Sequence, residues 1–353
     1  MRNVRTLVVL TVSALVFVGA LVGLVATVAS SEPAPAQPQV SVDVHAVPEV
    51  MTAVYKVYGG DYSDRWLART AITNTGSTPI RDFRIEYKVP GYVETTSAEE
   101  YPLILPGQTV RDYCYPIFDP DQMAGIDSET SAELVVTYEC DGMDRPVTTT
   151  ERFDFLGHNE WVRTTIPEEE RLVFHDWHDN DTFLAAFVTP KDPEVQAWAK
   201  QLTGGLFTVN DDEAIEALGR IYYALRDASF KYVTEPDSFW TEDAAQHVQF
   251  PRETIAHRGG NCVDLSVLFA SMLEAVGVKT YLTISPGHCQ LCIELPEKGT
   301  IIPVEATLVD DPDSTLQQSF DSAWDWYQEY SAQSLFTFID VQDAWQRGMV
   351  PTW

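Results

Sequence analysis

Among the five cysteines and seven histidines of the chain, Cys262 stands apart by its surroundings. It follows Gly259-Gly260-Asn261 and leads into VDLSVLFASMLEAVG. There Leu265, Leu268, Phe269, Met272, Leu273 and Val276 recur at steps of three, one, three, one and three. That spacing predicts one buried face of a helix, closed by Gly277, with Cys262 at its N-terminus on the core-facing side. A helix N-terminus stabilises the thiolate, the nucleophilic form of cysteine. The two glycines would let a substrate backbone approach closely.

A thiol nucleophile needs a base and a group that orients the base. VKTYLTIS (278–285), HCQLCIEL (288–295) and TIIPVEAT (300–307) read as three strands, the first two joined by Pro286-Gly287 and the last two by a Pro-Glu-Lys-Gly turn. An antiparallel register that sets His288 opposite Glu305 also sets Gln290 opposite Pro303 and Cys292 opposite Ile301. Cys262, His288 and Glu305 then form a nucleophile, base and orienter set for acyl transfer. His288-Cys289-x-x-Cys292 is a weaker pattern for a metal, because residues 289 and 292 point to opposite faces of a strand. FHDWHDND (174–181) carries His175, His178 and several Asp but lacks the glycine of a calcium loop, and reads as a solvated acidic loop. Its Asn180-Asp181-Thr182 is a glycosylation sequon if exported. His257 precedes the glycine turn with no carboxylate patterned to orient it, and reads as an exposed loop residue. No metal or organic cofactor is required by this set.

GGNCVDLSVLFASMLEAVGVKTYL, GHCQLCIEL and IIPVEATLV together resemble the transglutaminase-like superfamily of cysteine enzymes, which has a papain-like core. The resemblance covers roughly residues 185–353, through a closing helical segment ending DVQDAWQRGMVP. It implies Cys262 as nucleophile, His288 as base and Glu305 as third member, with Gln249 similar in placement to a residue of the oxyanion site. The chain departs from the pattern in three places. Its acidic member is Glu, with Asp310 a second candidate; Asn261 stands where many relatives have Asp; and Cys289-Gln290 follows the histidine where relatives carry an aromatic residue.

The elements that must hold this site form the C-terminal half of an α+β protein. Helical periodicity begins near residue 190, in PKDPEVQAWAKQLTGG and DDEAIEALGRIYYALRDASF. Before it, residues 42–165 alternate apolar and polar with period two, as in WLARTAITNTG, IRDFRIEYKV, TVRDYCYPIF and AELVVTYEC. These short strands predict an antiparallel, immunoglobulin-like β-sandwich. Cys114 and Cys140 both fall in its strands, either as a disulfide or as two buried thiols. Residues 166–353 are then the transglutaminase-like domain. At the other end, the 26 residues between Arg5 and Glu32 carry no charge, long enough for a membrane-spanning helix. Residues 1–31 are therefore expected to anchor the chain, with the bulk extracytoplasmic by the positive-inside rule, and residues 32–41 to form a Pro-rich linker.

Composition narrows the partners. With 23 basic against 53 acidic residues the net charge is −30, which argues against a nucleic-acid partner. The expected partners are a protein or peptide substrate and, through the N-terminal helix, the membrane. A second functional class keeps the fold without the chemistry: a non-catalytic binding or cell-surface interaction module.

Overall fold

The computed structural model describes residues 37–59, 65–97, 100–166, 168–234 and 245–351. The expected anchor at 1–31 and most of the linker lie outside these residues. Among the described residues no helix is long and apolar enough to cross a membrane.

The period-two stretches form two sheets. Strands β1 (Val40–Ala46), β3 (Ala68–Asn74) and β7 (Thr109–Cys114) make the first, in the order β1-β3-β7. The second has the order β2-β9-β8-β4-β5, built from β2 (Glu49–Met51), β4 (Ile80–Val89), β5 (Val93–Ser97), β8 (Thr130–Glu139) and β9 (Val147–Leu156); β6 (Tyr101–Ile104) also pairs with β4. In β4 the alternation resets at Asp82, whose φ of 47° leaves two neighbouring side chains exposed before Phe83, Ile85, Tyr87 and Val89 return to the interior. Tyr87 ties the sheets together: its hydroxyl donates to Thr70 Oγ1 at 2.9 Å and to Asp112 Oδ2 at 3.0 Å on the opposite sheet. The sandwich is not wholly antiparallel, since β2 runs parallel to β9. Cys114 and Cys140 are both buried free thiols, and burial pushes the Cys114 thiol up to about 12.

Helix α1 (Pro120–Met123) lies within the sandwich region, and β10 (Glu160–Trp161) leaves it to pair with β12 (Gln246–His247). Short β11 (Lys231–Tyr232) pairs in parallel with β13 (Gly259–Gly260). The helical half contains α2 (Pro193–Thr203), α3 (Asp211–Asp227), α4 (Pro251–His257), α5 (Cys262–Glu274), α6 (Leu316–Ser331) and α7 (Val341–Gln346). Asp192 and Asn210 cap α2 and α3 by accepting from first-turn N–H groups, the role such side chains favour.

Around α5 lies a four-stranded antiparallel sheet, ordered β16 (Ile301–Val304), β15 (His288–Glu294), β14 (Thr280–Ser285), β17 (Thr337–Asp340). Cys289, Leu291, Ile293, Leu282 and Ile284 join the core with Leu265, Leu268, Phe269 and Met272 of α5, the four helix residues being wholly buried. Each such apolar side chain contributes about 1.5–3 kcal/mol when removed from water. Gly277 takes φ 90° just past the helix, and Val278 N–H closes the turn on Leu273 C=O at 3.0 Å.

The β15–β16 register differs from the expected one by two residues: Cys292 pairs with Pro303 and Glu294 with Ile301. The expected pairing would leave Pro296-Glu297 as a two-residue hairpin, whose first position needs φ above zero that proline cannot adopt. The chain instead closes a four-residue turn, with Leu295 N–H on Thr300 C=O at 2.9 Å and Gly299 at φ 62°. A shift of two preserves sidedness. Glu305, the residue after β16, therefore stays on the face of His288, now beside Gln290.

Candidate active site

Cys262 is the first residue of α5, set there by a reciprocal cap. Asn261 Oδ1 accepts from Val263 N–H at 2.8 Å and Asp264 N–H at 2.9 Å, while Asp264 Oδ2 accepts from Asn261 N–H at 3.0 Å. Among the described residues the Cys262 N–H has no acceptor, as befits a first-turn donor without an intrahelical partner. It is thus free to bind an oxyanion formed beside its own sulfur.

The glycines before it are required by the chain itself. A Cβ on Gly259 would lie 2.7 Å from the Lys231 carbonyl oxygen, and one on Gly260 would lie 2.5 Å from Asp264 Cβ. Gly259 is needed for the parallel β11–β13 pairing, and Gly260 leaves room for the capping carboxylate.

His288 opens β15, one turn after Ser285, with Gly287 at φ 77° between the strands. Its Nε2 lies 2.7 Å from Glu305 Oε2, and Cys262 is the other group that raises the proton affinity of the ring. With Nε2 occupied by the carboxylate, Nδ1 is the nitrogen left for sulfur. Burial works against the imidazolium, but the hydrogen bonds and charges of Cys262 and Glu305 outweigh it, and the pKa is pushed up to about 10. Burial likewise disfavours the Glu305 carboxylate, yet His288 and Thr307 hold its pKa below the ordinary value. The side chains of His288 and Glu305 are 11% and 7% exposed, so water does little to weaken the pair.

Glu305 is fully engaged. Oε2 accepts from His288 and from Gln290 Nε2 at 3.1 Å; Oε1 accepts from Thr307 N–H at 2.9 Å and from the Thr307 hydroxyl at 2.5 Å. Its backbone N–H donates to Ser319 Oγ at 3.0 Å on α6. Asp310, the second candidate, lies elsewhere, paired with Lys231 at 2.5 Å.

Gln249 is brought close to the cap and put to another use. Its Nε2 donates to Asp264 Oδ2 at 3.0 Å and to the Gly259 carbonyl at 3.4 Å, its N–H donates to Asp264 Oδ1 at 2.8 Å, and its Oε1 meets His257 Nδ1 at 2.7 Å. Both amide hydrogens are committed to bracing the α5 N-terminus. In this arrangement Gln249 braces the α5 N-terminus, and His257 is exposed but tied into the same brace.

Sequence reading missed Trp326. Its ring packs 4.8 Å from the His288 ring at 63°, and its Nε1 donates to Ser285 Oγ at 2.6 Å. It supplies from α6 the aromatic neighbour absent after the histidine. The signal was present in the spacing of Ser319, Ala323, Trp326 and Tyr330, which keeps one helix face toward the sheet.

The segment 174–181 departs from a solvated loop. His178, Asn180 and Asp181 are all buried, and His178 Nδ1 lies 3.1 Å from Asp181 Oδ2. Two 3₁₀ turns, Phe174–His178 and Asp181–Phe187, carry the segment into the core. Asn180 is 1% exposed, so the folded chain does not present its sequon. Among the described residues no group of three or more His, Cys, Asp or Glu is placed to hold a metal. Cys289 and Cys292 are buried separately, their thiols pushed up by burial.

Two cavities lie away from Cys262, His288 and Glu305. One of about 140 Å³ is lined by His45, Arg65, Trp66 and Asn180, and one of about 520 Å³ by Pro190, Arg252 and Trp345. Cys262 itself is 1% exposed.

No protein-family model matches the chain, and no curated protein matches it. Solved structures show likeness to the chain, three of them as follows. A FixG-related protein from Vibrio parahaemolyticus is 11% identical over 32% of this chain and 94% of its own, with a TM-score of 0.23. A Cytophaga hutchinsonii protein called a "Putative Cysteine Protease" is 13% identical over 77% and 80%, with a TM-score of 0.26. A "putative protease" from Parabacteroides distasonis is 10% identical over 68% and 66%, also at 0.26.

Proposed function

We propose that the protein is a thiol enzyme acting on peptide or amide bonds through Cys262, His288 and Glu305. The observation that carries this reading is His288 Nε2 held 2.7 Å from Glu305 Oε2, with the proton affinity of the ring raised by Cys262 and Glu305 together. Cys262 Sγ attacks the amide carbon, and the carbonyl oxygen gains charge beside the Cys262 N–H. His288 gives its proton to the leaving nitrogen, the C–N bond breaks, and a thioester remains. Water or an amine, deprotonated by His288, then attacks the thioester and releases the thiol. Water gives hydrolysis, as in a peptidase or deamidase; an amine gives transfer, as in a transglutaminase. Glu305 holds the imidazole in orientation and stabilises its cation before acylation and after the thioester is resolved; between the two halves the ring is neutral and takes the proton of the water or amine.

The same proposal assigns residues 1–31 as a membrane anchor, 32–41 as a spacer, 42–165 as an immunoglobulin-like support and 166–353 as the transglutaminase-like enzyme unit, displayed outside the cytoplasm. Protease accessibility of the tail-tagged chain in sealed spheroplasts tests that orientation.

Iodoacetamide labelling of residues 36–353 from about pH 4 to 9, with peptide mapping, tests the chemistry. Fast labelling of Cys262 well below pH 8, lost in His288→Ala, is expected. Labelling no faster than an ordinary thiol in both proteins overturns the proposal. One observation favours a second reading, a non-catalytic binding module: the thiol is almost completely covered.

A further inference from the structure

Helix α6 is an unusual cover for a catalytic sheet. Only Ser319 and Ala323 of its sixteen residues are buried. It carries Asp321, Asp325 and Glu329 at steps of four, with no Lys, Arg or His anywhere in the helix. Like charges at this spacing repel along one stripe, and none of the three forms an ion pair among the described residues.

Beside the stripe runs a row of aromatic rings. Trp324 meets Tyr327 at 5.5 Å, Tyr327 meets Phe336 at 5.1 Å, Phe336 meets Phe338 at 6.5 Å, and Phe338 stacks on Tyr281 at 4.7 Å. Trp324 and Phe338 remain 46% and 43% exposed. On the other flank, Trp326 links the helix to the catalytic imidazole.

The far end of this row already shows what it accommodates. Lys279 places its ammonium 4.8 Å from the Tyr281 ring, between Asp340 at 2.9 Å and Glu294 at 3.2 Å. Ring and carboxylates together hold a cation there. The same two components recur along Trp324, Asp325, Tyr327 and Asp321 without a cation from this chain among the described residues.

We propose that the aromatic edge of α6 and β17, with its acidic stripe, docks a basic, extended stretch of the polypeptide substrate beside His288. Lysine or arginine side chains of the substrate would take the place along α6 that Lys279 takes at Tyr281, by ring and carboxylate contact. This rests on the thiol-enzyme reading only for what happens next, since docking precedes chemistry. It names the substrate class as a basic protein segment, consistent with an enzyme surface of high negative charge.

The test uses the Cys262→Ala protein, residues 36–353, which binds without turnover. The probe is a fluorescein-labelled dodecapeptide of four Lys-Gly-Ala repeats, with a Glu-Gly-Ala counterpart, followed by anisotropy at about 50 and about 500 mM salt. Asp321→Asn/Asp325→Asn/Glu329→Gln removes the stripe and relieves its repulsion, so the helix persists. Glu129→Gln/Glu139→Gln/Asp141→Asn removes the same charge from the exposed sandwich surface.

The stripe variant should weaken the lysine peptide about tenfold at low salt, and the sandwich variant less than about twofold. Trp324→Ala should weaken it severalfold, with part of the loss persisting at high salt. Equal weakening by both charge variants would show attraction to bulk charge alone and overturn the proposal, as would equal binding of the glutamate peptide. Failure here with normal Cys262 labelling refutes the docking face and leaves the enzyme intact. Docking with an unreactive Cys262 refutes the enzyme and leaves the docking face.

Discussion

Replacing Glu305 by Gln changes one oxygen to an amide of nearly the same shape, and the structure says where the loss falls. Four donors converge on the carboxylate, from His288, Gln290 and twice from Thr307. A glutamine has one acceptor oxygen. With that oxygen kept toward Thr307, its NH2 faces the His288 and Gln290 donors, and His288 satisfies it only by surrendering the Nε2 proton. An opposing charge at this range shifts a pKa by about 1–3 units, or about 1–4 kcal/mol. The variant should therefore pull His288 down from about 10, seen by carbon-13 NMR of its imidazole, and slow Cys262 alkylation near pH 6 by about tenfold or more. Background labelling stays low, because burial raises the thiols of Cys114, Cys140, Cys289 and Cys292.

The same variant carries a stability signature. Glu305, lowered from 4.5, stabilises the fold above about that pH and loses the contribution as pH falls through its folded pKa. His288, raised from 6.5 to about 10, contributes fully below 6.5 and loses it as pH rises through about 10. The gap between wild type and Glu305→Gln should thus be widest between about pH 4.5 and 6.5 and narrow on both sides. Urea melts across pH measure it. A gap independent of pH, together with an unmoved His288 resonance, would refute the ion-pair argument.

Gly260→Ala should cost about 2–4 kcal/mol in urea unfolding, since its Cβ would press on Asp264 and break the cap; Gly287→Ala, with open space but φ 77°, should cost only about 1 kcal/mol. Leu268→Ala, at a wholly buried position, should lose about 2–5 kcal/mol by the same assay. Trp326→Ala should lower stability by about 2 kcal/mol in thermal melts, and Trp326→Phe by less, the loss in Phe containing the bond to Ser285 and the difference between the two reporting ring packing.

What the sequence made legible here was set by local periodicity. The apolar steps from Leu265 to Val276 gave α5 because a helix face is fixed by residues within a few turns, and Asn261-x-x-Asp264 is a capping pattern readable from four letters. The alternation of Ile80–Val89 gave β4 for the same reason, down to the one irregularity at Asp82 that only the backbone shows. The strands of the sheet were also local. Their pairing was not: setting His288 opposite Glu305 leaves only Pro296-Glu297 to turn between β15 and β16, a loop that proline forbids, and the register was off by two residues.

The site divides along the same line. Cys262 and His288 stand out by residue type and context, whereas the residues that contact them and their elements are distant in sequence. Gln249 reaches Asp264 across 15 positions, Ser319 meets Glu305 across 14, and Trp326 meets Ser285 across 41. No period links such positions, so sequence reading gave Gln249 to the oxyanion and overlooked Trp326. The buried His178–Asp181 pair shows the reverse error. A run dense in His and Asp reads as solvated by composition, and only three-dimensional packing reveals that its i, i+3 partners satisfy each other in the core. Charge is therefore a poor guide to exposure wherever a complementary group lies one turn away, and a triad inferred from sequence is most secure in its reacting atoms and least secure in what surrounds them.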